Sequence, residues 1–199
     1  MEPTLVKLEI IDQPELVIVG KLARPNPNDV AASKNTLPAF WEQCFADGTF
    51  TALEALADFI HDPAYVGYAD DLNFVPPDGD FDYICGMMMK SGTPVPNGFV
   101  ARTVLPVKVA VAWVKGKDAV DICTNANANA HVLTMKAMAE RGMLPNEEFG
   151  RRCWCMEVYN KERFTTPDAE GNIIVDFYVP VAEASEPTSI NKNNQTHHL

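Results

Sequence analysis

One pattern constrains this chain more than any other: the order strand–helix–strand–strand is written twice, 92 residues apart. Laying FDYICGMMM (81–89) on IIVDFYVPV (173–181) sets that offset. The same offset lays LVIVGK (16–21) on KVAVAW (108–113) and AYVGYA (64–69) on MEVYNK (156–161). Residue identity across the pairs is almost nil, so it is the apolar patterning that recurs. Each copy holds three or four strands and one main helix, too few to bury both faces of a sheet alone. The expectation is an α+β fold in which two pseudo-symmetric half-repeats, about 15–90 and 107–181, build an antiparallel sheet around a central ligand cleft. One domain over 1–182 is expected, followed by a polar, flexible tail over 183–199.

Local signals mark the elements. Thr4–Ile11 and the β-branched run Leu16–Gly20 read as strands. Pro25–Asn28 reads as a loop, and Asn35 or Thr36 as the cap of a helix with Pro38 in its first turn. That helix sets Phe40, Trp41, Cys44 and Phe45 on one face. A second helix is expected over Thr51–Ile60, then strands at Tyr65–Ala69 and Phe81–Lys90. After the Pro/Gly-rich link at 91–98, the spacing predicts a strand over Lys108–Val114. A helix is expected over Asn125–Arg141, with Val132, Met135 and Met138 on one face and Gly142 and Pro145 ending it. Arg152–Tyr159 and Ile173–Val181 complete the strands.

The charge divides as the repeat does. Of 27 acidic and 16 basic residues, 15 acidic and only 5 basic ones precede Asn97, and the net charge is −11 with a pI near 4.7. Between Asp58 and Asp82 stand seven Asp and no Lys or Arg. This is the reverse of a basic nucleic-acid footprint, and no cationic amphipathic stretch suits a membrane surface. Direct nucleic-acid binding and membrane association are therefore not expected. No apolar run approaches the ~20 residues that span a bilayer, and the start MEPTLVKLEI lacks the cationic and apolar regions of an export signal. A cytoplasmic protein is expected, with its five cysteines (Cys44, Cys85, Cys123, Cys153, Cys155) reduced.

Several chemistries lack their motifs. There is no G-x-G-x-x-G, no phosphate-binding G-x-x-x-x-G-K-[ST] and no G-x-S-x-G elbow. Asp78, Asp80 and Asp82 have calcium-loop spacing, but Tyr83 and Met89 occupy the places where Gly and Glu are needed, so a solvated acidic loop is expected. Cys153-x-Cys155 is not a zinc spacing, and His61 and His131 have no partner at i, i+4. No metal and no cofactor are expected.

The strand RCWCMEVYNK is the most informative. By alternation Cys153, Cys155, Glu157 and Tyr159 share one face, and Trp154, Met156 and Val158 the other. Both faces are otherwise apolar, which leaves Glu157 as a lone carboxylate in a poorly solvated setting, where an unpartnered charge is costly. Three readings stay open: solvation at a strand end, pairing with Arg102, Arg151 or Arg152, or a carboxylate held for a cation or a proton. Trp41, Tyr65, Tyr68, Tyr83, Trp113, Trp154, Tyr159 and Tyr178 sit on ordered elements; most are expected in the core, but rings around a carboxylate would hold a flat cation by stacking and cation–π attraction. Met87–Met89 could line an adaptable pocket.

Taken in order, LVIVGK, the helix with AFW, YVGY, FDYICG, PNGF, KVAVAWVKG, CWCMEVY and IIVDFYVPV resemble the GyrI-like small-molecule-binding domain. This is the effector-binding domain of AraC-type and multidrug-responsive bacterial regulators, and the resemblance runs from about Leu5 to Val181. It implies two strand–helix–strand–strand halves around a cleft that takes hydrophobic, often cationic or polyaromatic compounds. It carries the pocket glutamate of the family onto Glu157, with Tyr159 two residues on, and makes Trp41 and Tyr68 wall residues, while Trp154 belongs to the opposite face. Regulators place a helix-turn-helix domain before this module; none is expected here, so the resemblance is to stand-alone members. Those act as sensors or sequestration proteins, as gyrase inhibitors, or as hydrolases of cyclopropane-bearing genotoxic natural products. In a hydrolase, Glu157 would handle water and Tyr159 or Tyr68 would protonate the departing oxygen. An acidic DNA-mimicking first half would instead serve a gyrase-binding role.

Overall fold

The structure is a computed structural model that describes residues 2–25, 36–70, 81–148, 151–152 and 154–182. Eight strands form one antiparallel sheet: β1 (Thr4–Gln13), β2 (Leu16–Ala23), β3 (Ile60–Asp70), β4 (Asp82–Met89), β5 (Val100–Val104), β6 (Val107–Gly116), β9 (Trp154–Tyr159) and β10 (Ile173–Pro180). A two-residue ladder, β7 (Glu147–Glu148) with β8 (Arg151–Arg152), stands apart. The sheet order is β1-β6-β10-β9-β3-β4-β2-β5, which reads the same from either end once the repeat is applied. β3-β4-β2 mirrors β9-β10-β6, and the pseudo-twofold passes between β3 and β9, paired Tyr65↔Tyr159 through Asp70↔Trp154.

The outer strands lock the halves together. β1 precedes β2 in sequence but pairs with β6, while β5 precedes β6 but pairs with β2. Each half thus closes the sheet edge of the other, which explains why neither copy reads as self-sufficient. The register also corrects the constant offset of 92. Val19 faces the same side as Met87, whereas Ala110 and Ala112 face the same side as Phe177. The inward residues are odd in β2 and even in β6, so the β2–β6 equivalence slips by one residue. In a strand such a slip exchanges the two faces.

The helices lie on one side of the sheet. α1 (Leu37–Ala46) and α2 (Thr49–Glu54) cover β2 and β4; α3 (Ala119–Thr124) and α4 (Ala130–Glu140) cover β6 and β10. Their cores are separate: Val19, Cys44, Phe50, Leu53, Met87 and Met89 under the first pair, Ala110, Ala112, Val114, Ile122, Met138 and Phe177 under the second. A third cluster (Leu16, Ile18, Val66, Tyr68, Ile84, Met156, Val158) occupies the opposite face. The helix side above β3 and β9 is left between the two pairs.

The helix expected over Asn125–Arg141 begins only at Ala130, and a separate short helix, α3, precedes it outside the expected range. Asp118 caps α3 by accepting from the Asp121 amide, and Asn129 caps α4 by accepting from the Val132 amide. Val132 is exposed; the inward face of α4 is Ala130, Thr134, Ala137 and Met138. The second helix of the first half ends at Glu54, and Ile60 already belongs to β3. Thr36 occupies the N-cap of α1 without a side-chain cap bond. Asn35, Asn26–Asn28, Asp71–Asp80, Cys153 and the 183–199 tail lie outside the described residues. Among the described residues no helix is long and apolar enough to cross a membrane.

Candidate functional site

β9 delivers Glu157 to the gap between the helix pairs. Its odd residues Cys155, Glu157 and Tyr159 face the helix side, and Met156 and Val158 are buried in the opposite cluster. Two phenols converge on one carboxylate oxygen. Tyr159 Oη donates to Glu157 Oε2 at 3.0 Å and Tyr83 Oη donates to the same atom at 2.9 Å. Trp41 Nε1 donates to Tyr83 Oη at 2.9 Å. An indole N–H only donates, so Tyr83 accepts from Trp41 and turns its own hydrogen to Glu157. Cys123 Sγ of α3 lies 3.8 Å from Tyr159 Oη. The group therefore joins α1, β4, β9 and α3, two elements from each half-repeat.

Around it lies a cavity of about 830 Å³. The first half contributes Trp41, Phe45, Tyr65, Phe81 and Tyr83; the second contributes Val120, Cys123, His131, Met135, Phe164, Phe177 and Val179. Trp41 meets the Tyr159 ring edge-on at 4.9 Å, and Phe164 meets its ring edge-on at the same distance. Phe50 stacks on Trp41 at 5.8 Å and on Tyr65 at 4.0 Å, so the first-half wall is a continuous aromatic surface. Tyr65 is fixed in turn by donating to Glu54 Oε1 at 2.6 Å.

Burial pushes the Glu157 carboxyl above its ordinary value, and hydrogen bonds from Tyr83, Tyr159 and Cys123 oppose that rise. Burial first, and then the nearby carboxylate, hold Tyr83, Tyr159 and Cys123 protonated well above their ordinary values. The donors are thus neutral, and the only charge that develops in this hydrogen-bonded group is that of Glu157.

Among the described side chains no Arg or Lys bonds to Glu157. Arg102, one of its expected partners, is engaged with Asp82 (2.5 Å) and Asp70 (3.4 Å). The side chains of Arg151 and Arg152 lie outside the described residues. Of the residues expected at the site, Glu157, Tyr159 and Trp41 come together. Tyr68 does not: it is 3 % exposed on the opposite face, packed against Trp154 at 6.0 Å. Alternation along β3 is the reason, since Tyr65, Gly67 and Ala69 face the cavity and Val66 and Tyr68 face away. Met87–Met89 are core residues and do not line the cavity. The residue that sequence reasoning passed over is Tyr83. It shares its strand face with Cys85 and Met87, and no local pattern separates it from them.

No protein-family model matches the chain, and no curated protein matches it in sequence. Solved structures do match. SAV2435 bound to tetraphenylphosphonium is 13 % identical with a TM-score of 0.62 over 89 % of this chain and 94 % of that one. A transcription-regulation protein of Staphylococcus aureus MU50 is 15 % identical with a TM-score of 0.60 over 89 % and 99 %. The C-terminal domain of EcmrR is 12 % identical with a TM-score of 0.51 over 89 % and 98 %. At such identities the likeness is one of fold, and the fold is the GyrI-like one: two mirrored strand–helix–strand–strand units on an open antiparallel sheet.

Proposed function

We propose that the chain binds a hydrophobic small molecule, cationic or polyaromatic, in the cavity between its half-repeats, as a sensor or sequestration protein. Glu157 is the polar contact; Trp41 and Tyr159 are aromatic walls, joined by Tyr83 and Tyr65, and Tyr68 is left out of the set. The observation that carries this reading is a desolvated carboxylate ringed by aromatic side chains and met by neutral donors, with no Arg or Lys bonded to it among the described side chains. A delocalised cation supplies the missing charge without demanding the hydration a compact ammonium needs, and the rings add cation–π attraction. The tetraphenylphosphonium held by SAV2435 belongs to that class of ligand and supports the choice of probe.

Titration of tetraphenylphosphonium against tryptophan fluorescence tests it, because Trp41 sits in the wall. Wild type is expected to saturate, and Glu157→Gln to bind on the order of 10- to 100-fold more weakly, as for loss of a charged contact. Equal binding by both, or binding by neither, removes the role given to Glu157. The hydrolase reading is less favoured, because both phenolic hydrogens are directed to Glu157 and neither is aimed at a departing oxygen. A cyclopropane-bearing aryl dienone followed by mass spectrometry separates the two: a water adduct formed in turnover supports the hydrolase, and unchanged ligand supports binding.

A further inference from the structure

The route by which Tyr83 reaches Glu157 depends on a residue with no side chain. Tyr83 starts on β4 and Glu157 on β9, and β3 lies between them. The register sets Gly67 of β3 opposite Cys85 on one side and opposite Glu157 on the other, while Tyr83 stands opposite Ala69. Tyr83 therefore crosses β3 diagonally, over two small residues. A Cβ built on Gly67 would fall 2.0 Å from Tyr83 Oη, 2.7 Å from its Cζ and 2.8 Å from Glu157 Oε2. The backbone at Gly67 is not in the left-handed region, unlike Gly48, Gly92, Gly98, Gly142 and Gly171. The glycine is there for the space it leaves, not for a turn.

We propose that Gly67 is the positioning residue of the cavity: its missing side chain lets the Tyr83 hydroxyl reach Glu157 Oε2, and this contact sets the pH range over which the carboxylate is charged and able to receive a cation. The claim deepens the proposed function but rests on geometry that exists without any ligand. A hydroxyl that donates to a carboxylate stabilises its ionised form, and the Trp41 bond commits the Tyr83 hydrogen to that direction. The titratable groups that face Glu157 are Tyr83 and Cys85 from β4, Cys123 from α3 and Tyr159 from its own strand. Tyr65 and Asp70 of β3, Glu42 of α1, His131 of α4 and Cys155 of β9 line the same cavity, and Asp70 is paired with Arg102. Losing the Tyr83 bond leaves Tyr159 and Cys123 as donors, so the carboxyl is expected to keep its proton to higher pH.

The test is carboxyl-detected NMR titration of Glu157 in the ligand-free protein, beside the pH dependence of tetraphenylphosphonium binding. Gly67→Ala is expected to raise the Glu157 midpoint by about one pH unit, the worth of one hydrogen bond to a charged acceptor. Cation binding should fall by roughly threefold at a pH midway between the two midpoints, approach a roughly tenfold deficit below both, and return at higher pH. Tyr83→Phe keeps the ring, adds no atom and should give the same shift, which keeps the claim testable if Gly67→Ala folds poorly. Combining the two should add little to either alone, since both act through one contact. Folded Gly67→Ala or Tyr83→Phe protein with the wild-type midpoint overturns the proposal. If wild type binds no cation, the proposed function fails, yet the ligand-free titration still decides the role of Gly67.

Discussion

Asp176 and Glu157 are carboxylates one strand apart in the same sheet, and they are answered in opposite ways. Asp176, 1 % exposed on β10, receives Nε and Nη2 of Arg163 at 3.1 and 2.5 Å, and the same guanidinium lies 4.3 Å over the Trp113 ring. Asp82 and Asp70 are likewise buried and likewise paired, through Arg102. Burial pushes the Asp176 carboxyl up, and the Arg163 charge pulls against it. Glu157 meets the same cost of burial with two phenols and a thiol. The difference separates a carboxylate that holds the fold together from one whose charge is left to be matched from outside.

Mutation should widen that contrast. Asp176→Asn leaves the Arg163 guanidinium without its counter-charge and is expected to cost about 3 kcal/mol in denaturant unfolding, the low end for a broken buried pair because Arg163 keeps some solvent. Glu157→Gln is expected to leave stability unchanged or raise it by about 1 kcal/mol, because it removes a desolvated charge with no cation to orphan. A large loss in Glu157→Gln would place Glu157 with Asp176 and dissolve the contrast.

The pH dependence of stability sharpens the same point. The folded protein holds the Glu157 proton above the ordinary value of 4.5, so the fold binds more protons than the unfolded chain there. The contribution of Glu157 to stability therefore falls as pH rises from 4.5 through its raised value and is flat above it. Glu157→Gln should abolish that fall in equilibrium unfolding curves. Asp168 has the opposite sign. The Asn172 amide and side chain lower its carboxyl to about 2, so its contribution is present above 3.8 and lost as pH falls toward 2. Asp168→Asn should flatten the acid limb only.

The smallest effects divide the two faces of the sheet. Trp41→Phe removes the N–H that directs Tyr83 and is expected to weaken cation binding by a few-fold, about 1 kcal/mol or less, in the fluorescence-independent calorimetric titration. Tyr68→Phe should leave binding unchanged, since that ring packs behind the sheet.

How much of this was written in the sequence can be followed residue by residue. The repeat, its antiparallel sheet and the core strands follow from β-branched runs and the pairing of two incomplete halves. Glu157 stood out because a carboxylate is rare in an otherwise apolar strand, and alternation tied it to Tyr159. The exchange of β1 and β5 between halves was not legible, because strand partners are set by tertiary closure and not by local pattern. α3 is too short to show helical periodicity, since its cap Asp118 precedes only six helical residues. The strand carries two tyrosines of opposite parity, Tyr65 and Tyr68, and the sequence does not say which one faces the cavity. Only the register shows that Tyr65 faces the cavity. Tyr83 and Gly67 depend on a diagonal reach across an intervening strand, which no spacing along one strand encodes.

The most direct test compares charge and shape in one measurement: calorimetric titration of tetraphenylphosphonium and of neutral triphenylphosphine oxide into wild type and Glu157→Gln. The account predicts that wild type prefers the cation and that Glu157→Gln loses this preference while keeping its affinity for the neutral compound. A preference for the cation that survives in folded Glu157→Gln would contradict it.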